Sequence, residues 1–143
     1  MEIRDYDRVL RGYVHRSETL QPKALTDCPN YCRLHFPYLS TPCTALVLVE
    51  DIISAEVLAP YIPTAALCGA SLSADQATYL HTKGIRLVTF CLDEDATSKA
   101  VLEALKYRTD FTATAVPCVV DPKDMSHEQL VSLTEAVHAV RNM

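Results

Sequence analysis

The chain has 143 residues and a formal net charge of −5; 49% of its residues are hydrophobic and 22% are charged. This length fits one domain with a substantial core, and the composition is that of a globular protein. The negative charge argues against the dense basic surface of a sequence-independent nucleic-acid binder. There is no apolar run long enough to cross a bilayer and no secretion signal, so we expect a cytoplasmic protein without membrane contacts and with its six cysteines reduced.

Residues 1–43 are predicted to form an irregular N-terminal extension, because four prolines break up any long element. Within this extension Arg4, Arg8 and Arg11 recur at helical spacing. Such a helix would present these guanidinium groups as a nucleic-acid-binding stripe or as an ordinary solvated face, since Asp5 and Asp7 are interspersed among them. Both interpretations stay open from the sequence.

A second pattern in the extension has metal-ligand residue types. Cys28, Cys32, His35 and Cys43 have a spacing that could bind zinc. However, Cys-x3-Cys-x2-His followed by a distant Cys departs from the compact paired pattern of structural zinc sites. Ordinary packing is therefore the competing interpretation.

Residues 44–143 are predicted to form an α/β domain in which short apolar runs alternate with helical patterns. The predicted strands are 44–50, 64–68, 85–92 and 111–120, and the predicted helices are 74–83, 95–108 and the segment after Ser126. The strands are apolar throughout, which favours a four-stranded, mainly parallel sheet flanked by helices. Ser73 with Gln76 is typical of a capping box, and Pro117 places the last strand at an edge or a bulge.

Acidic residues follow three of these strands. Parallel strands all end at one edge of their sheet, where ligands of such folds bind. We therefore expect these acids to converge there: Glu50 and Asp51, the run from Asp93 to Asp95, and Asp121 with Asp124.

The acidic run after the third strand suggests a metal site. Asp93 and Asp95 are two residues apart, so they project to the same side of an extended segment. Their carboxylates repel each other unless a cation compensates, and hard oxygen ligands favour Mg²⁺ or Mn²⁺. A solvated acidic turn that caps the next helix is the alternative. Glu50, at the end of a separate strand, favours the metal.

Four segments together resemble the Toprim domain, which is shared by DNA primases, topoisomerases and some small nucleases. LVEDIISA (48–55) is similar to the family strand that ends in Glu, and CGASL (68–72) is similar to its small Gly-containing loop. CLDEDATSKA (91–100) resembles the Asp-x-Asp-Ala motif, and DPKDMSHEQL (121–130) resembles the Lys-Asp segment of primases. The resemblance covers about two thirds of the chain and implies a Rossmann-like Toprim fold for residues 44–143.

The resemblance also implies roles for individual residues. Glu50 would be the general acid or base, and would form the catalytic and metal-binding set together with Asp93 and Asp95. Lys123 and Asp124 would be auxiliary. Where many family members have Gly after the motif Glu and Asp three positions later, this chain has Asp51 and Ser54. Asp51 is therefore also an auxiliary candidate.

The function expected from this resemblance is Mg²⁺- or Mn²⁺-dependent nucleotidyl or phosphodiester transfer in DNA replication. The protein would be primase-like, would use nucleotides and DNA or RNA, and would act with another replication protein. Its size suits a phage protein that acts in the host cytoplasm. Two alternatives stay open, a metal-dependent Toprim nuclease and a non-catalytic interaction module in a replication assembly. A response-regulator receiver domain is disfavoured, because four strands are predicted rather than five.

Overall fold

The computed structural model describes residues 1–16, 24–38, 43–69, 72–93 and 112–142. The strands in these ranges are β1 (Glu2–Arg4), β2 (Leu10–Arg16), β3 (Ala24–Asp27), β4 (Ala45–Val49), β5 (Thr64–Ala66), β6 (Leu87–Phe90) and β7 (Thr112–Ala115). The helices are α1 (Ile52–Leu58), α2 (Ala74–Thr82) and α3 (His127–Arg141), with short 3-10 turns at Asn30–Cys32 and Pro122–Asp124. The helix predicted for 95–108 lies outside the described residues.

The predicted four-stranded parallel sheet is confirmed. Its strand order is β5-β4-β6-β7, and each neighbouring pair is parallel. The strand β7 lies at the edge of the sheet, as we predicted from Pro117. It ends at Ala115, before that proline. The central strand β4 is therefore hydrogen-bonded on both sides, which accounts for its uninterrupted apolar sequence.

Two hydrophobic layers cover the faces of the parallel sheet. Val47 and Val49 pack into one cluster, together with residues of α1 and α3 such as Leu58 and Val137. Leu46 and Leu48 alternate with them along β4 and pack into a second cluster on the α2 side. Successive strand residues point to opposite faces, so both layers draw on the same short strand.

The helix boundaries follow side-chain caps. Ser73 with Gln76 forms a complete capping box at α2, as predicted, and Ser126 with Gln129 forms a second one at α3. Gly84, at φ +90°, follows the end of α2, as expected for a residue that terminates a helix. None of the helices within the described ranges has the length and apolar character that a bilayer span requires.

The prediction of an irregular N-terminal extension is wrong for the residues that the structure describes. β1, β2 and β3 form an antiparallel sheet, in which β2 is the central strand. Ile3, Val14 and Cys28 join the hydrophobic cluster on the α1 side of the parallel sheet. Hydrophobic burial therefore attaches this small sheet to the parallel one.

The helical spacing assigned to Arg4, Arg8 and Arg11 is also wrong, because these residues lie on β1, the following turn and β2. The carboxylate of Asp5 organises that turn by accepting hydrogen bonds from the N–H groups of Asp7 and Val9. It also accepts one from Arg11 Nε at 2.7 Å. Burial alone would raise the pKa of Asp5, but these hydrogen bonds outweigh it and hold the pKa below its usual range.

The other two guanidinium groups also have partners within the chain. Arg4 pairs with Glu2 at 2.8 Å, and Arg8 donates to the carbonyl oxygen of Phe36. The three arginines therefore do not share one helix face, and each is engaged in the packing of the antiparallel sheet.

His35 connects the two sheets. Its backbone exchanges hydrogen bonds with Ala66 of β5, at 2.9 and 2.8 Å. Its Nδ1 accepts a hydrogen bond from the N–H of Arg4, so a neutral ring carries its proton on Nε2, which donates to Glu56 of α1 at 2.8 Å. Burial is the largest cause acting on its pKa and lowers it, which favours this neutral form.

Gly12 allows the close approach of β2 to the end of β3. A Cβ at this position would lie 2.7 Å from the Cβ and 2.9 Å from the Cα of Cys28, and would overlap the carbonyl oxygen of Asp27. We expect Gly12→Ala to lower the free energy of unfolding by about 2–4 kcal/mol, because backbone must shift to relieve the overlap. Urea denaturation would measure this loss.

The matched control is Gly69→Ala, since a Cβ at Gly69 meets no atom of the described residues within 4 Å, its chain neighbours aside. This variant should change the unfolding free energy by no more than about 0.5 kcal/mol. Equal stability of the two variants would show that the close approach at Gly12 is wrong.

Candidate functional site

The register of the parallel sheet determines which acids lie at its carboxyl edge. Leu48 of β4 pairs with Phe90 of β6, and Phe90 pairs with Ala115 of β7. Pairing continues past the strand ends, where the Cys91 N–H donates to Leu48 and the Cys118 N–H donates to Leu92. Glu50, Asp93 and Asp121 therefore leave the same edge from three neighbouring segments.

The charges of the other acids at this edge act on Glu50. Partial desolvation is the largest cause that raises the pKa of Glu50, followed by the charges of Asp121, Asp93 and Asp51. Lys123 acts in the opposite direction, but its effect is the smallest of these. Glu50 is nevertheless exposed. Together with Asp51, Asp93 and Asp121 it forms a group of negative charges at the edge of the sheet, which we call the acidic rim.

Asp51 has a structural role next to Glu50. It is the N-cap of α1, where its carboxylate accepts hydrogen bonds from the backbone N–H of Ser54 at 2.8 Å and from the Ser54 hydroxyl at 3.0 Å. Ser54 is buried, and its oxygen also accepts a hydrogen bond from the N–H of Lys123 at 3.3 Å. Asp51 and Ser54, the two positions that depart from the Toprim pattern, thus join α1 to the turn after β7.

That turn brings Lys123 between two carboxylates. Its Nζ lies 3.8 Å from Asp51 Oδ2 and 3.9 Å from Asp121 Oδ2. Asp124, the auxiliary candidate, is exposed, and the described charges that act on Glu50 include Asp121 rather than Asp124. Asp121 is the functional candidate that the family motif missed. The strand-end rule does find it, because it is the first acid after β7.

A cavity of about 270 Å³ lies beside Glu50 and Asp51. The parallel sheet and the segments that follow it contribute Glu50, Asp51, Ile52, Cys68 and Gly69, and the antiparallel sheet contributes Met1, Val14 and Thr26. Its volume is slightly below that of typical small-molecule sites. The N-terminal sheet therefore forms one wall of the space that Glu50 faces.

Of the metal ligands predicted from the sequence, Glu50 and Asp93 belong to the described residues. Glu94 and Asp95 lie outside the described residues. Within the ranges that are described, no three His, Cys, Asp or Glu side chains already converge closely enough to hold a metal ion. Glu50 and Asp93 follow neighbouring strands at the same edge of the sheet.

The structure does not gather the four N-terminal candidates for zinc into one group. The sulfur atoms of Cys28 and Cys32 lie 3.9 Å apart, but His35 uses both ring nitrogens in hydrogen bonds to Arg4 and Glu56. These residues and Cys43 are all described, and they do not form a metal-binding group. Packing is the role that the structure gives to Cys28 and Cys32, which are buried.

Burial of Glu50 and the negative charge around it should lower the stability of the protein at neutral pH. Since folding raises its pKa, the native state binds more protons than the unfolded state as the pH rises past the usual value for glutamate. Wild-type protein therefore loses stability over that pH range, and the loss persists at neutral pH. We expect Glu50→Gln to melt about 1–2 °C higher than wild type near neutral pH, a small gain because solvent screens an exposed group.

The gain should shrink as the pH falls below the ordinary range of glutamate, where both states are protonated. Glu135→Gln is the control, because Glu135 is an exposed residue in the middle of α3. It should leave the melting temperature unchanged. A Glu50→Gln variant that melts below wild type at neutral pH would contradict the crowding of charge at the rim.

Comparison with protein-family models, curated proteins and solved structures gave no match to this chain. The likeness of its four motifs to Toprim domains is therefore an inference from the residues. The function of the acidic rim must follow from geometry and chemistry.

Proposed function

We propose that this chain is a primase-like Toprim protein, an enzyme or enzyme subunit that uses Mg²⁺ or Mn²⁺ to catalyse nucleotidyl or phosphodiester transfer in DNA replication. The observation that supports the proposal is that Glu50, Asp93 and Asp121 follow neighbouring segments at the same carboxyl edge of the parallel sheet. Strand ends of this kind are where open parallel α/β sheets bind their ligands.

The donor atoms are of the type that a hard divalent cation prefers, since Glu50 and Asp93 supply carboxylate oxygens. Burial is the largest cause that raises the pKa of Glu50, and the charges of Asp121, Asp93 and Asp51 raise it further. Glu50 and Asp93 would hold the ion, with Asp95 as the third ligand implied by the motif. When bound, the ion would stabilise negative charge on a transferring phosphoryl group and orient the attacking oxygen.

Glu50 and Asp51 would have separate roles in the reaction. Glu50 is exposed beside the cavity and has a raised pKa, which suits a group that accepts or donates a proton during transfer. The hydrogen bonds from Ser54 hold the Asp51 carboxylate at the start of α1. Asp51 therefore shapes the charge of the rim from a fixed position.

The proposed substrates are nucleotides and a DNA or RNA strand. With a net charge of −5, contact with nucleic acid would be local and bridged by the metal, or assisted by another replication protein. The cavity beside Glu50 has room for a phosphate group and its hydration, and its wall from β2 and β3 would limit what enters.

We expect purified protein with Mg²⁺ or Mn²⁺ to join labelled nucleotides into longer products on single-stranded DNA, alone or with a replication protein as partner. Glu50→Gln and Asp93→Asn should each lower the rate at least about 100-fold, because each removes a ligand or a proton-transfer group. Gel analysis of the products measures this, with Glu135→Gln as the control that keeps wild-type activity.

The same gel separates the other two functions. Shortened DNA or RNA products that depend on Glu50 would identify a nuclease, in which the same acids activate water. Absence of both extension and cleavage, combined with tight binding to a replication protein, would identify an interaction module and contradict the proposed catalysis.

A further inference from the structure

Two buried cysteines lie side by side where the antiparallel sheet ends. Cys28 follows β3, and Cys32 ends the 3-10 turn that comes next. Their sulfur atoms lie 3.9 Å apart, and both residues belong to the hydrophobic cluster on the α1 side of the parallel sheet. All six cysteines of the chain are free thiols. Cys28 and Cys32 are therefore in contact, and neither sulfur is already covalently paired.

The turn between the two cysteines accounts for their contact. The N–H of Cys32 donates to the carbonyl oxygen of Pro29 at 3.3 Å, which closes the turn. The Cys28 thiol donates to the carbonyl oxygen of Cys32, and the Cys32 thiol donates to that of Pro29, both at 3.7 Å. The Arg33 guanidinium donates to the carbonyl oxygen of Cys28 at 2.9 Å. Backbone and side-chain hydrogen bonds thus hold the two sulfur atoms next to each other.

We propose that Cys28 and Cys32 are a redox modification site, at which hydrogen peroxide forms a reversible disulfide. The sulfur atoms of a disulfide lie about 2.05 Å apart, so each thiol has to move by only roughly 1 Å. This inference goes beyond the proposed function, because it requires neither a metal ion nor nucleic acid.

The reaction removes two electrons from the pair of thiols. One cysteine, as its thiolate, attacks an oxygen of hydrogen peroxide, the O–O bond breaks, and a sulfenic acid and a hydroxide ion form. The second thiolate attacks the sulfenic sulfur, the S–O bond breaks, and a second hydroxide ion leaves. The two protons released by the thiols convert both hydroxide ions into water. Two thiols and one peroxide therefore give one disulfide and two water molecules.

The surroundings of Cys28 make this reaction slow. Burial is the largest cause that raises the pKa of its thiol to about 12, and the neighbouring Cys32 raises it further, whereas Arg33 acts in the opposite direction with a smaller effect. The thiolate is the reactive form, so little of it is present at neutral pH. We therefore expect the pair to respond to sustained oxidation and not to consume peroxide rapidly.

The disulfide would stabilise the segment that joins the two sheets. Three residues after Cys32, the backbone of His35 pairs with Ala66 of β5. Two residues before Cys28, Thr26 lines the cavity at the carboxyl edge of the parallel sheet. The closed loop is short, so the gain in stability is moderate. We expect the oxidised protein to melt about 2–6 °C above the reduced protein.

Tryptic digestion with mass spectrometry tests the proposal directly. Trypsin cleaves after Lys23 and Arg33 and so leaves both cysteines in the peptide 24–33. Native protein is treated with excess hydrogen peroxide and then with iodoacetamide, which blocks any remaining thiol. The peptide should carry no iodoacetamide label and should be lighter than the reduced form by two hydrogen atoms. Treatment with dithiothreitol should restore both thiols.

Variants of single cysteines connect this bond to the change in melting temperature. Cys32→Ala should melt at the same temperature before and after peroxide, because it cannot form the bond. Cys28→Ala is a second variant of this kind, should Cys32→Ala fold poorly. Cys43→Ala is the matched control, since Cys43 packs against the other hydrophobic cluster. It should form the disulfide and gain stability as wild type does.

Three results would overturn the proposal. The peptide 24–33 of native protein might keep both thiols after peroxide treatment, or it might gain oxygen atoms instead of losing hydrogen. A cross-link from this peptide to 34–83, which contains Cys43 and Cys68, would show that a different pair of cysteines reacts. A disulfide confined to 24–33, together with the higher melting temperature, supports the proposal.

Discussion

The parallel pairing of β4 with β6 is the constraint on which the candidate site depends. Leu48 opposite Phe90 makes both strands end at one edge, and the residues that follow them there are Glu50 and Asp93. The apolar strand residues bury into two layers, so the sheet is stable enough to hold charges together that repel each other. Lys123 offsets part of that repulsion, whereas the carboxylate of Asp51, which caps α1, adds to it.

The antiparallel N-terminal sheet also contributes to the candidate site. His35 joins it to β5 and α1 through hydrogen bonds from both its backbone and its ring. Because the ring is buried and its pKa is lowered, it remains a neutral link between the two sheets. That link places Val14 and Thr26 against the cavity beside Glu50, so residues far from the acidic motifs shape the same site.

Periodicity and capping patterns were sufficient to predict the parallel sheet, the edge position of β7 and the helices α2 and α3. The N-terminal sheet was not predictable, since Arg4, Arg8 and Arg11 match helical spacing while the turn at Asp5 depends on hydrogen bonds that no period reveals. The strand ends predicted that Glu50, Asp93 and Asp121 would lie at one edge of the sheet, but the pairing of Lys123 with Asp51 and Asp121 depends on how the turn after β7 packs on α1. Such contacts arise from tertiary structure and leave no local sequence pattern.

The central claim is that the acids after β4 and β6 share one divalent cation. A crystal structure of the protein with Mn²⁺, recorded at a wavelength where manganese scatters anomalously, tests it most directly. We expect an anomalous peak within bonding distance of the carboxylates of both Glu50 and Asp93. Saturating Mn²⁺ with no peak there, or a peak that touches only one of the two, would contradict the account.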